Sequence, residues 1–186
     1  MRAVLVNASE AMVAERRSLG IDKQDERWAG EWHFVNPPKR WHSRLSTDLL
    51  AILIPLARQV GLEPYGDSTG VFANPEDDWR VPDQVYARPD QGVDEGVTGA
   101  ELVVEIRSPG DESYKKLPFY ASRGVREVLI VHQDRRVELH RLRDDDTYVL
   151  VDDGNGTATS TTLHVTFTTI AGPSLRVEWE GGAAQV

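Results

Sequence analysis

The run Leu102-Val103-Val104-Glu105-Ile106 limits this chain more than any other feature. Such a run, apolar on both alternating faces, reads as a strand covered by protein on each side. A second run of the same kind, Glu127 to His132, follows a helically spaced segment, Asp111 to Arg123, that Gly124 ends. Strand, helix and strand in this order predict a right-handed crossover between neighbours in a mixed sheet. One residue breaks the apolar pattern: Glu105 is a carboxylate where every neighbour is apolar. Burying an unpaired charge is costly, so Glu105 needs a partner. A nearby Arg107 or a helix terminus would supply a purely structural one.

Elements on either side extend the picture. Ser9 can cap a helix running to about Leu19. Asp22 to Gly30 reads as a polar connection, and Trp32 to Phe34 as a strand stopped by Pro37-Pro38. From Arg40 to Val60, apolar residues at Trp41, Leu45, Leu49, Ile52, Leu53, Leu56 and Val60 step by three and four, as a helix requires. Pro55 should kink or break that helix. Arg80 to Ala87 reads as a strand, with Asp83 just after Pro82. Arg136 to Arg141, Tyr148 to Val151, His164 to Phe167 and Leu175 to Trp179 are expected as further strands, with Gly181 to Val186 frayed. The expected fold class is α/β, one domain over residues 1–180.

Bulk properties narrow the chemistry. The chain has 186 residues, enough to bury a core as a single domain. It has no cysteine, which excludes disulfides, thiolate metal sites and cysteine nucleophiles. The only early apolar run, Ala3 to Val6, is too short for a signal peptide or a membrane span, and a cytoplasmic protein is expected. The net charge of −9 argues against a broadly basic nucleic-acid face. The charge is uneven: residues 101–143 carry a small basic excess. The acidic stretches Glu76 to Glu95, and Asp144–Asp146 with Asp152 and Asp153, read first as solvated loops.

Three ionisable residues then stand out: Asp83 on its strand, Glu105, and Lys116 on the following helix beside Phe119 and Tyr120. Lys116 could also lay its stem on the apolar surface and keep its charge in water. Several short strings around them form an ordered pattern: Val81-Pro82-Asp83, then Glu101 to Pro109, then Lys116-Leu117 with Tyr120, then Gly124-Val125-Arg126-Glu127. Upstream stand Gly30-Glu31 and His42. This order resembles the Uma2-type branch of the PD-(D/E)XK nuclease superfamily, over about residues 29–142.

The resemblance implies a restriction-endonuclease-like fold, with a mixed central sheet flanked by helices and extra antiparallel strands. It also implies a metal-dependent endonuclease that hydrolyses phosphodiester bonds in DNA. Asp83, Glu105 and the Ile106 carbonyl would hold Mg²⁺ or Mn²⁺, an all-oxygen set such ions accept. Lys116 would orient water or steady charge on the phosphate. Glu31 and His42 would be auxiliary, although a histidine on an inward-facing helix is more often a hydrogen-bonded structural residue. Two departures favour an alternative, a catalytically inactive member acting as a binding module. Arg107 stands where the superfamily pattern has lysine; as a candidate catalytic residue it could stand in for that charge electrostatically, or pair with Glu105 and weaken metal binding, but it cannot act as a base at neutral pH. Pro118 follows Lys116-Leu117 and could shift Lys116. His132 replaces the family's aspartate and reads as surface variation. One active site per chain suits a homodimer for cutting both strands, and no membrane association is expected.

Overall fold

The protein is described by a computed structural model covering residues 3–5, 8–151 and 156–186. Asp152 and Asp153, and the end of the Ala3 to Val6 run, lie outside the described residues. In chain order the first elements are β1 (Ala3–Leu5), α1 (Glu10–Ser18), β2 (Glu26–Trp28), β3 (Glu31–Phe34) and α2 (Arg40–Gln59). Next come β4 (Glu63–Tyr65), β5 (Gly70–Asn74), β6 (Asp78–Arg80), β7 (Gln84–Ala87), β8 (Gly92–Val93), β9 (Gly96–Val97) and β10 (Leu102–Arg107). After α3 (Leu117–Ser122) follow β11 (Glu127–His132), β12 (Val137–Leu142), β13 (Tyr148–Leu150), β14 (Thr157–Ser160), β15 (Val165–Ile170), β16 (Ser174–Trp179) and β17 (Gly182–Gln185).

Among the described residues these strands form three sheets. The central sheet has the order β13-β12-β11-β10-β7-β4, and its β10–β11 pair is parallel while the others are antiparallel. β10 and β11 are its middle strands, and α3 lies in the connection between them. The mixed sheet expected from the two apolar runs is therefore present. A second sheet, β1-β3-β2-β6-β5-β9-β8, and a third, β14-β15-β16-β17, flank it.

Strand alternation divides the core in two. Leu102, Val104 and Ile106 of β10, with Leu129 and Val131 of β11, pack against Leu45, Leu49, Leu53 and Leu56 of α2 and against Val165, Phe167, Leu175 and Val177 of the third sheet. Val103 of β10, with Val128 and Ile130 of β11, faces the other way, toward Phe119 and Tyr120 of α3 and Val71 and Val97 of the second sheet. Glu105 has the parity of Val103, so it points to the α3 side. The sheet is buried on both faces, which is why the interior positions of β10 and β11, Leu102 to Ile106 and Val128 to Val131, are apolar apart from Glu105.

Several local expectations change. α2 runs unbroken through Pro55. Pro55 and Ala51, whose carbonyl loses its partner there, both lie on the exposed side, where water can satisfy that carbonyl. Residues 80–87 do not form one strand. Pro82 has no N–H to donate, and Val81 to Asp83 is a break between β6 and β7. The helix expected from Asp111 starts later: Ser113–Lys116 is a 3-10 turn, and α3 begins at Leu117 with Pro118 in its first turn. A proline is well placed there, because first-turn N–H groups lack helical partners anyway. Residues 181–186 are not frayed. β17 pairs with β16, and Val186 exchanges backbone hydrogen bonds with Leu175 at 2.7 and 2.9 Å.

The α2 leucines hold the layers together. Leu53 is fully buried between α2 and the central sheet. Leu53→Ala should destabilise the protein by about 2–5 kcal/mol, the usual cost of a leucine-sized cavity. Chemical denaturation should show a lower midpoint at unchanged slope.

Candidate active site

Register brings the two carboxylates to one place. β7 and β10 are antiparallel with Gln84 opposite Val104, so one step further sets Asp83 across from Glu105. Glu105 points to the α3 side of the sheet, and the Asp83 side chain meets the edge of β10 at Ile106 N–H and His42 of α2. The break at Pro82 frees Asp83 from the ladder, and its Oδ2 accepts a 2.6 Å hydrogen bond from the Ile106 N–H. Asp83, Glu105, Ile106, His42 and Lys116 all line one pocket of about 250 Å³, together with Lys39, Trp41 and the Ser108–Asp111 loop. Asp111 closes that loop by accepting from Ser108 N at 2.5 Å and from Ser113 N and Oγ at 3.1 and 2.8 Å.

Lys116 sits at the joint between the 3-10 turn and α3, and only 1 % of it is exposed. Its Nζ donates to Glu105 Oε1 at 2.7 Å and lies 2.8 Å from Glu26 Oε1. The Tyr120 hydroxyl donates to the same Glu105 oxygen at 2.6 Å. Burial raises the Glu105 pKa. The Lys116 ammonium pulls it back, Asp83 and Glu26 push it further up, and it stands raised at about 7. Burial pulls the His42 imidazole down. Its contact with Asp83, its bond to the Ile106 carbonyl and the field of Glu105 outweigh that and hold it above its ordinary value. The His42 Nε2 lies 2.9 Å from the Ile106 carbonyl oxygen and 3.4 Å from Asp83 Oδ1.

Glu26 is the site residue that sequence reading missed. It is fully buried on β2, where its Oε1 also accepts from Val81 N at 3.1 Å and its Oε2 accepts from Trp28 Nε1 at 2.7 Å. The sequence reading favoured Glu31 instead. Glu31 is exposed beside the two-residue turn that joins β2 to β3 and lines no part of the pocket. Its position explains the difference: Glu31 pairs with Trp28 beside the Ala29-Gly30 turn (φ 47° and 92°), at the turn end of the hairpin and two pairs along from Glu26. Behind Glu26 the Arg80 guanidinium is sandwiched between Trp28 and Phe119, 4.4 and 4.1 Å from the ring centres, which ties the second sheet to α3.

Arg107 is not paired with Glu105. Its Nε is 3.7 Å from Asp111 Oδ1, and its guanidinium lies over the Tyr114 ring. His132 is not surface variation. It is buried, and its Nε2 lies 3.0 Å from Glu138 Oε1.

Among the described residues no three His, Asp or Glu side chains converge as a ready metal cage. The available donors are two carboxylates and a carbonyl. That composition suits an ion that completes its shell with water and substrate phosphate, as Mg²⁺ commonly does.

The model of the Uma2 family, described as "Putative restriction endonuclease", matches residues 17–171. The chain belongs to the Uma2 family. This Uma2 chain is also similar in structure to a protein from Anabaena variabilis described as "a putative nuclease belonging to DUF820". The two are 14 % identical with a TM-score of 0.58, over 75 % of this chain and 82 % of that one. At that identity the likeness shows the fold, which is the restriction-endonuclease-like α/β class. No curated protein matches the chain. Among the described residues of this Uma2 protein no helix is long and apolar enough to cross a membrane.

The raised Glu105 pKa makes a thermodynamic prediction. The folded state holds the Glu105 proton more tightly than the unfolded chain, so Glu105 withdraws stability as pH rises from about 4.5 toward 7. Glu105→Gln removes that slope. In metal-free buffer the stability of Glu105→Gln relative to the natural protein should rise across this window and level off above it. Urea unfolding at a series of pH values measures it; a difference that stays flat or falls contradicts the burial account.

Proposed function

We propose that this Uma2 protein is a divalent-metal-dependent endonuclease hydrolysing phosphodiester bonds in DNA, with its chemistry at Asp83, Glu105 and Lys116. The observation that carries the reading is Lys116: a buried ammonium aimed at Glu105 in the pocket that Asp83 also lines. A lysine this buried has given up its hydration, and two carboxylates are needed to hold it. Such expense at a pocket wall is typical of sites arranged for chemistry.

Asp83, one oxygen of Glu105 and the Ile106 carbonyl would hold Mg²⁺ or Mn²⁺. When bound, the ion would neutralise charge on the scissile phosphate and make water more acidic. The chain's own groups do the rest. Ile106 N–H fixes the rotation of Asp83. Tyr120 and Lys116 grip Glu105 Oε1 and leave Oε2 for the pocket. Lys116, held between Glu26 and Glu105 at the pocket wall, would steady the charge growing on the phosphoryl oxygens through its positive field. Water forms the new oxygen–phosphorus bond and gives up a proton to solvent as the bond to the leaving deoxyribose oxygen breaks, and that oxygen takes up a proton from water. The two features that favoured an inactive module lose their force, since Arg107 pairs with Asp111 and Pro118 fits the first turn of α3.

Backbone binding would draw on basic residues near the pocket. Lys39 lines the pocket, but Arg44 is paired with Asp48 and Lys115 with Glu112. With a net charge of −9, affinity for DNA should be modest.

Plasmid cleavage with Mg²⁺ or Mn²⁺ tests the reading. The natural protein should nick or linearise plasmid only with the metal. Asp83→Ala and Glu105→Ala should abolish cleavage, and Lys116→Ala should slow it by roughly 10²–10³-fold. Metal-dependent cleavage that persists in both carboxylate variants would place the chemistry elsewhere.

A further inference from the structure

The two oxygens expected to receive a cation beside Asp83 are engaged by one internal donor. The His42 Nε2 stands 2.9 Å from the Ile106 carbonyl and 3.4 Å from Asp83 Oδ1, so it faces the space between them. Two acceptors on that side require that Nε2 carry the proton, since a bare ring nitrogen there would set lone pair against lone pair. An ion bound by Asp83 and the Ile106 carbonyl would lie ~2.1 Å from each oxygen, the distance Mg²⁺ takes. That is the region the Nε2 proton fills. His42 and the ion therefore compete for the same oxygens.

The other ring nitrogen decides how the competition ends. For His42 to become a ligand, Nε2 would have to give up its proton, and the neutral ring would then carry it on Nδ1. Nδ1 is buried and has no hydrogen-bond partner. A proton moved there would be a buried donor without an acceptor, which is unfavourable. Swinging the ring aside is the cheaper route. His42 is in the first turn of α2 and lines the pocket, with 12 % of its side chain exposed. Its contact with Trp41 is edge-on, with ring centres 5.5 Å apart, and does not lock the ring by stacking.

We propose that His42 is a placeholder for the cation: its Nε2–H satisfies Asp83 and the Ile106 carbonyl in the metal-free protein and leaves when the ion arrives. The inference rests on the metal-site reading above. It assigns His42 the role of occupying the Asp83 and Ile106 oxygens in the absence of metal, at a cost in metal affinity. Without the placeholder the oxygens stay in position, because Asp83 keeps its bond from Ile106 N–H.

The test is Mn²⁺ affinity without substrate, read by the loss of the free-ion EPR signal. His42→Ala and His42→Asn, which both lose the reach of Nε2, are compared with the natural protein, with Asp83→Ala marking the site. The two His42 variants should bind Mn²⁺ more tightly, by roughly 2- to 10-fold, the range one net hydrogen bond represents. Asp83→Ala should lose the binding. Unchanged affinity in both His42 variants overturns the placeholder and leaves the metal site standing. Weaker affinity overturns it in favour of His42 as a ligand. If neither the natural protein nor the variants bind Mn²⁺, the metal-site reading fails and the placeholder fails with it.

Discussion

Lys116 is held almost out of reach of water between Glu26 and Glu105, and the layers around it are arranged to make that tolerable. A buried ammonium needs compensating charge and hydrogen bonds in good geometry. Glu105 comes from the middle of the central sheet, Glu26 from the second sheet, and Lys116 from the joint before α3. The cluster thus fastens three separate parts of the chain at one point. Val81 N, Trp28 Nε1 and the Tyr120 hydroxyl supply the remaining donors to the two carboxylates.

The arrangement also leaves the cluster with a negative excess. Two carboxylates face one lysine, and Asp83 lies next to them with Ile106 N–H and His42 as its close partners among the described residues. Burial and neighbouring carboxylates raise the Glu105 pKa, which is the thermodynamic trace of that excess. A protein selected for stability alone would gain by replacing such a cluster with apolar residues. A pocket that receives a cation has use for it.

Much of this was legible in the sequence, and the parts that were not have a common cause. Glu105 announces itself because a carboxylate inside Leu102–Ile106 breaks an otherwise apolar strand. The parallel β10–β11 pair follows from two apolar runs separated by a helix, and α2 from its leucine spacing. Glu26 gives no such signal. It lies in the polar stretch 22–30, on a strand of three residues whose burial depends on pairing with β6, about fifty residues away. Long-range pairing of short strands leaves no local periodicity to read. Glu31 attracted attention through its place after Gly30, yet it sits exposed at the turn end of the hairpin, two pairs along from Glu26. Pro55 and Pro118 were read as breakers from local chemistry. Which side of the helix or which turn each occupies is settled by packing.

We propose that Asp83, Glu105 and the Ile106 carbonyl form one cation site beside the Lys116 cluster. A crystal of the protein grown with Mn²⁺, measured at the manganese edge, tests it directly. The account predicts one anomalous peak about 2.1–2.2 Å from Asp83 Oδ1, Glu105 Oε2 and the Ile106 oxygen, with Lys116 still between Glu26 and Glu105. A peak elsewhere, or a pocket without one at a Mn²⁺ concentration that supports cleavage, would contradict it.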